Sequence, residues 1–218
     1  MTQYYIETDG KIYLVEEEGR LKFPRSKEKV PFSIRPRAKM DVESEEVVYA
    51  EPVLSQHPRQ WLNKEDVPLL DNVESTVRKA VNFSLPRIVV EAIILDKGRV
   101  LLVEPSRGYN QGSWTLPGGF LVYGEGPREA VEREVKEEID VKPRVENLLN
   151  VFSAIGDQNS YQWIIFYFLA GIPGNIDKIQ PKHEIKRLKW CSVERAGELI
   201  HSPLMKRGYE QVLEKRLK

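Results

Sequence analysis

From Pro86 onward the chain alternates between apolar runs of strand length and one long amphipathic stretch. Residues 87–95 and 99–103 are dense in Ile, Val and Leu and flank Asp96-Lys97-Gly98, which predicts two strands joined by a turn. Residues 111–119 form a loop rich in Gly and Pro, and residues 120–123 a short extended piece. Pro127 follows Gly126, where a missing N–H costs nothing, and opens a helix to Glu138. Residues 145–154, 161–170 and 185–191 predict three more strands, and residues 192–199 and 204–217 two helices.

The first 85 residues have a different texture. Residues 3–8 and 11–15 flank Asp9-Gly10, a two-residue hairpin signal. Residues 46–50 predict another strand and 75–82 a short helix, while Pro24, Pro31 and Pro36 among many charges predict loops and residues 56–71 look irregular. The division expected is a small β-rich N-terminal domain, residues 1–85, followed by an α/β domain, residues 86–218.

The predicted helix carries chemistry. With about 100° per residue, Glu137 and Glu138 lie about 60° and 40° to either side of Glu134, so three carboxylates share one narrow face. Val131, Val135 and Ile139 form an adjoining apolar stripe suited to packing on a sheet. Like charges four residues apart repel, and a hard divalent cation, Mg²⁺ or Mn²⁺ rather than zinc, removes that penalty. The helix alone leaves open a solvated acidic face with Lys and Arg partners.

The spacing around it is more specific. Five residues separate Gly119 from Glu125, seven more precede Arg133-Glu134-Val135, and after Lys136 come Glu137-Glu138, Ile139, Asp140 and Val141. Six fixed positions, at the ordinary frequencies of their residue types, make a chance match on the order of one in a million. The run resembles the Nudix box, with Asp140 standing where that family usually has Gly. Asp tolerates the left-handed turn such a Gly serves, so the departure touches the turn and not the ligands. The resemblance covers roughly residues 86–200, including Trp114-Thr115-Leu116-Pro117-Gly118-Gly119, and leaves residues 1–85 aside.

The resemblance implies a Nudix α/β/α sandwich around a mixed sheet. It implies that Glu134, Glu137 and Glu138, with the carbonyl of Gly119, hold Mg²⁺ or Mn²⁺, that Arg133 orients Glu134, and that Glu125 fastens the loop to the helix and contributes to the metal site. The alternative for Glu125 is a helix-start acid favoured by the dipole. The reaction implied is attack of water on a diphosphate linkage. Its general base is a box Glu or a later one, for which Glu184, six residues before Trp190, is the candidate. His183-Glu184 lacks the second His of a zinc-protease motif. Tyr109, Phe120, Tyr161 and Trp163 are candidate faces for a base, and Arg87 and Arg107 candidate phosphate partners. The substrate expected is a nucleoside diphosphate derivative of the ADP-ribose or dinucleotide type. The alternatives are house-cleaning hydrolysis of nucleoside triphosphates and a non-catalytic nucleotide sensor, though sensors commonly lose box carboxylates and this chain keeps them.

Composition narrows the partners. Among 218 residues, 33 Lys and Arg balance 33 Asp and Glu, so no global field favours nucleic acid or an anionic membrane. Cys191 is alone, which excludes an intrachain disulfide. The N-terminus lacks a signal-peptide pattern, and the longest apolar run, residues 163–172, is about half a membrane span. The expectation is a soluble cytoplasmic protein with a small-molecule nucleotide substrate, in which the N-terminal domain supports a homodimer or lids the site.

Overall fold

The computed structural model is described over residues 2–56, 58–108, 110–157, 160–174, 179–182 and 184–216. Two compact units emerge, residues 1–85 with 158–161, and residues 86–157 with 162–218. The division falls at Leu85, and Ser160 and Tyr161, which the sequence pattern leaves in the second domain, group with the first unit.

The first unit is built on a sheet of β1 (Gln3–Thr8), β2 (Lys11–Tyr13), β5 (Ile34–Val42), β6 (Glu45–Pro52) and β7 (Leu62–Asn63), in the order β5-β6-β1-β2-β7. A separate hairpin pairs β3 (Val15–Glu17) with β4 (Arg20–Lys22), and α1 (Ser75–Ser84) adds Val77, Ala80 and Val81 to a core with Tyr5 and Phe23. The Asp9-Gly10 hairpin is present, with both residues at positive φ. Three expectations change. Residues 56–71, expected to be irregular, contain the short strand β7. The extended piece from Lys11 breaks before Val15, and the loop expected around Pro36 is strand β5. Its prolines misled because β5 is an edge strand and its register shifts between Pro36 and Ala38, where a residue without an N–H costs no ladder bond.

The second unit is an α/β/α sandwich. Strands β8 (Arg87–Asp96), β9 (Arg99–Pro105), β10 (Gly118–Phe120), β11 (Arg144–Ile155), β12 (Gln162–Gly171) and β13 (Ile185–Ser192) form a mixed sheet in the order β11-β12-β8-β9-β13, with β10 also pairing β8. β8 and β12 are parallel, and the remaining pairs antiparallel. Helix α2 (Pro127–Ile139) buries Ala130, Val131, Val135 and Ile139 against the face bearing Val90, Ala92 and Ile94. The opposite face carries Tyr167, whose hydroxyl donates to the Met205 carbonyl of α4 (Pro203–Arg216), while α3 (Val193–Leu199) packs near β9 and β13. Leu217, the expected end of the last helix, lies outside the described residues. Among the described residues no helix is long and apolar enough to cross a membrane.

What places the site is a split in this sheet. β8 and β9 pair only at Leu95↔Val100 and Asp96↔Arg99, then part. The segment before α2 fills the gap. Thr115 exchanges both backbone bonds with Val103, the Ala92 amide donates to the Pro117 carbonyl at 2.8 Å, and β10 then runs antiparallel to β8. A Cβ on Gly118 would stand 2.1 Å from the Val90 carbonyl oxygen, so only glycine lets the two backbones approach.

Candidate active site

Beside the split lies a cavity of about 610 Å³, which brings together Gly119, Glu134, Glu137 and Glu138. Its other walls include Phe120, Trp163, Met205, Arg107 and Glu184. The three helical carboxylates thus share one cavity while Val131 and Val135 lie buried behind them. Helix α2 starts with Gly126 as N-cap, whose amide donates to Glu129, and ends at Asp140 in the left-handed conformation (φ 56°, ψ 28°). Asp140 therefore takes the turn expected of a glycine.

Arg133 organises the cluster. It donates to both oxygens of Glu125 (2.8 and 3.0 Å), to the Phe120 carbonyl (3.0 Å) and to Glu137 (3.4 Å), and pairs with Glu134 at 2.9 Å. Glu125 also accepts from the Val122 amide at 2.9 Å, and the Arg133 guanidinium holds its carboxyl below the usual range. Glu125 therefore clamps loop to helix and is not among the residues lining the cavity. A Cβ on Gly119 would meet the Glu134 carboxylate at 2.4 Å, so glycine leaves room for that side chain against the backbone.

Glu138 is half-buried and accepts a bond from the Gly118 amide at 3.1 Å. Burial, then the neighbouring Glu134, push its carboxyl well above the ordinary range. Burial also raises Glu134, against the opposing pull of Arg133. Glu91 on β8 is a site residue that neither the box spacing nor the helix periodicity marks. It is 3% exposed, lines the same cavity, and has Oε2 buried without a hydrogen-bond partner. Burial and then Glu138 and Glu134 raise it too. The available signal is a single acid among the apolar residues 88–95 of the strand interior. Among the described residues no three His, Cys, Asp or Glu side chains already converge as a metal cage. The donor set nonetheless fits a hard cation: carboxylate oxygens beside a glycine carbonyl, close-set like charges and an unpartnered buried oxygen.

The remaining candidates separate. Arg107 and Glu184 face each other and form a two-pronged ion pair, and the Glu184 carbonyl accepts from the Ser106 amide (2.6 Å) and hydroxyl (2.8 Å). Phe120 is half-exposed and its ring lies 5.9 Å from that of Trp163. Arg87 stands opposite Trp163 at the start of β8 and does not line the cavity. Tyr161 does not line it either. It belongs to the first unit, where its ring meets Phe83 edge-on at 4.9 Å. Tyr109 and His183 lie outside the described residues.

Known proteins share this sequence pattern and fold. The family model described as NUDIX domain matches residues 85–214. The ADP-ribose pyrophosphatase of Methanocaldococcus jannaschii is 41% identical over 69 residues, which cover 32% of this chain and 41% of that protein. The CTP pyrophosphohydrolase of Escherichia coli is 31% identical over 116 residues, 53% of this chain and 82% of that one. The crystal structure of the MutT protein from Methanosarcina mazei Go1 shares the fold, with a TM-score of 0.53 at 24% identity over 62% of this chain and 98% of that one. The chain thus spans about two fifths of the first relative and most of the second.

Proposed function

The chain belongs to the Nudix family, and on that premise we propose that it is a Mg²⁺- or Mn²⁺-dependent hydrolase of the diphosphate linkage in a nucleoside diphosphate derivative, of the ADP-ribose or dinucleotide type. The observation that carries this reading is the union of Gly119, Glu134, Glu137 and Glu138 around one cavity, with the carboxylates repelling one another there. The M. jannaschii relative, named an ADP-ribose pyrophosphatase, supports the substrate class.

Glu134, Glu137, Glu138 and the Gly119 carbonyl would hold the cation. When bound, it supplies Lewis acidity and charge neutralisation to the diphosphate oxygens. Arg133 keeps Glu134 turned to the cavity and ties Glu125 and the Phe120 carbonyl to the helix. Phe120 and Trp163 offer an apolar wall for a base. A water attacks one phosphorus, the bridging P–O bond breaks, and each product leaves with one phosphate. Glu184 takes the proton from that water. Both its oxygens accept from Arg107 in the structure, so Arg107 must first turn to the substrate's phosphate, which its fork fits equally well.

A second reading, pyrophosphohydrolysis of nucleoside triphosphates, has one observation in its favour. The match to the E. coli CTP pyrophosphohydrolase spans most of that protein. The test is a panel of ADP-ribose, dinucleotides and nucleoside triphosphates with the full chain and Mg²⁺. ADP-ribose should yield AMP and ribose 5-phosphate. Turnover confined to triphosphates selects the second reading, and none on any member rejects both.

A further inference from the structure

The box helix is not the only element that brings a carboxylate to this cavity. Glu91 comes from the sheet. In the β8–β10 ladder Glu91 is registered opposite Gly118, whose amide donates to Glu138 at 3.1 Å. One glycine thus links the strand position of Glu91 to the helix carboxylate of Glu138. Glu91 is 3% exposed, with Oε2 buried and unpartnered, and among the described residues no Lys or Arg pairs with it. An unsatisfied buried oxygen is destabilising, and a carboxylate left without a counter-charge is more so. The second unit treats another buried acid differently. Glu104, on neighbouring β9, is 4% exposed and is held by the guanidinium of Arg187.

We propose that Glu91 is a further carboxylate of the divalent-cation site, a direct or water-relayed oxygen donor supplied by β8 in addition to those of the box helix. The inference rests on the metal-dependent reading above. The site then draws its negative charge from two elements, and the cation ties the β8–β10 ladder to α2. A substrate N–H is the competing use of Oε2, but its charged neighbours are Glu134 and Glu138, which call for a cation. Glu91 lies on the sheet and outside the box, so neither the spacing of the box nor its helical face points to it.

The test is Mn²⁺ binding to the full chain, followed by the electron paramagnetic resonance signal of free Mn²⁺, with no substrate present. Four variants are compared with the original sequence. Glu138→Gln reports on the helix site. Glu132→Gln removes the same charge from a residue of α2 that pairs with Lys142 at 3.5 Å and does not line the cavity. Glu91→Gln keeps shape and removes charge, and Glu91→Asp keeps charge and shortens the side chain. Glu91→Gln should weaken Mn²⁺ binding about tenfold or more, Glu132→Gln no more than about twofold, and Glu91→Asp should recover part of the loss. The metal-free melting temperature of Glu91→Gln should equal or exceed that of the original.

Binding by Glu91→Gln that matches Glu132→Gln, while Glu138→Gln has lost it, overturns the role of Glu91 alone. Unchanged binding in Glu138→Gln as well overturns the metal reading with it. A loss that Glu91→Asp does not relieve assigns the effect to packing and also overturns the proposal.

Discussion

Each unit buries a glutamate beside a resident counter-charge, Glu7 in the first and Glu104 in the second, but the second unit also holds acids without one. In the first unit, Glu7 is 8% exposed, and its carboxylate accepts from the Tyr5 hydroxyl at 2.6 Å and pairs with Lys64 at 2.7 Å. In the second unit, Glu138 has one backbone amide, and Glu91 has an oxygen with no partner. Glu7 has a resident counter-charge and needs nothing from solution. Glu91 and Glu138 have each other and Glu134 as charged neighbours instead, so their charge stays unbalanced until a proton or a cation arrives. The comparison teaches where to look for ligand chemistry: in the buried charges whose balance is incomplete, not in buried charge as such.

The largest effect should separate the two kinds of acid outright. Glu138→Gln should slow turnover by about a hundred- to a thousandfold, the cost of losing one preorganised charged contact at a reaction centre, while leaving the metal-free protein as stable or more so. Initial rates on the best panel substrate, with thermal melts in EDTA, check both halves. Rates like those of the original sequence would remove Glu138 from the site. The converse change is Lys64→Met in the first unit. It strands Glu7 with the Tyr5 hydroxyl alone and should lower stability by roughly 1–3 kcal/mol, read from urea unfolding. Turnover per folded molecule should stay unchanged. A stability like that of the original would show that the Lys64 pair does not matter and would erase the contrast.

Much of the second unit was legible because its signals are local. The 3.6-residue period placed Val131, Val135 and Ile139 in the core and Glu134, Glu137 and Glu138 on one face. Gly126-Pro127 marked the helix start and Asp140 the left-handed end. What escaped was set by pairing across the sheet. Glu91 reads as one polar interruption in an apolar strand. Its chemistry appears only when β10 pairs with β8 and brings Gly118 opposite it. Arg107 and Glu184 were singled out separately, yet nothing in a sequence places residues 77 positions apart in one ion pair. Tyr161 and Arg87 failed to reach the cavity for a related reason. An aromatic or cationic residue near a strand start carries no record of which neighbour will cover it. In the first unit, prolines counted against β5, and its edge position, which tolerates them, depends on the order of strands that are distant in sequence.

The smallest effect is a slope, and it tests whether the incomplete balance is felt by the whole fold. Glu91, Glu134 and Glu138 are all raised above the ordinary value of 4.5. A raised acid binds its proton more tightly in the folded state. Its contribution to stability is therefore complete below 4.5 and is lost as pH rises through the folded value. The lowered acids, Glu17, Glu43, Glu46 and Glu125, act in the opposite sense and at lower pH, because they are already ionised in both states above 4.5. Cys191 is raised from 9.0, so its effect falls at the alkaline end. Between roughly pH 5 and pH 8, then, the metal-free protein should melt at progressively lower temperature as pH rises, since every tenfold gain in proton affinity on folding is worth about 1.4 kcal/mol. Saturating Mg²⁺ should flatten the slope by supplying the missing charge, and the double variant Glu91→Gln, Glu138→Gln should flatten it without metal. Differential scanning calorimetry in EDTA decides. A level profile in the original sequence, or a slope that survives in the double variant, would mean that these acids cost the fold nothing, and that their burial is no guide to a bound cation.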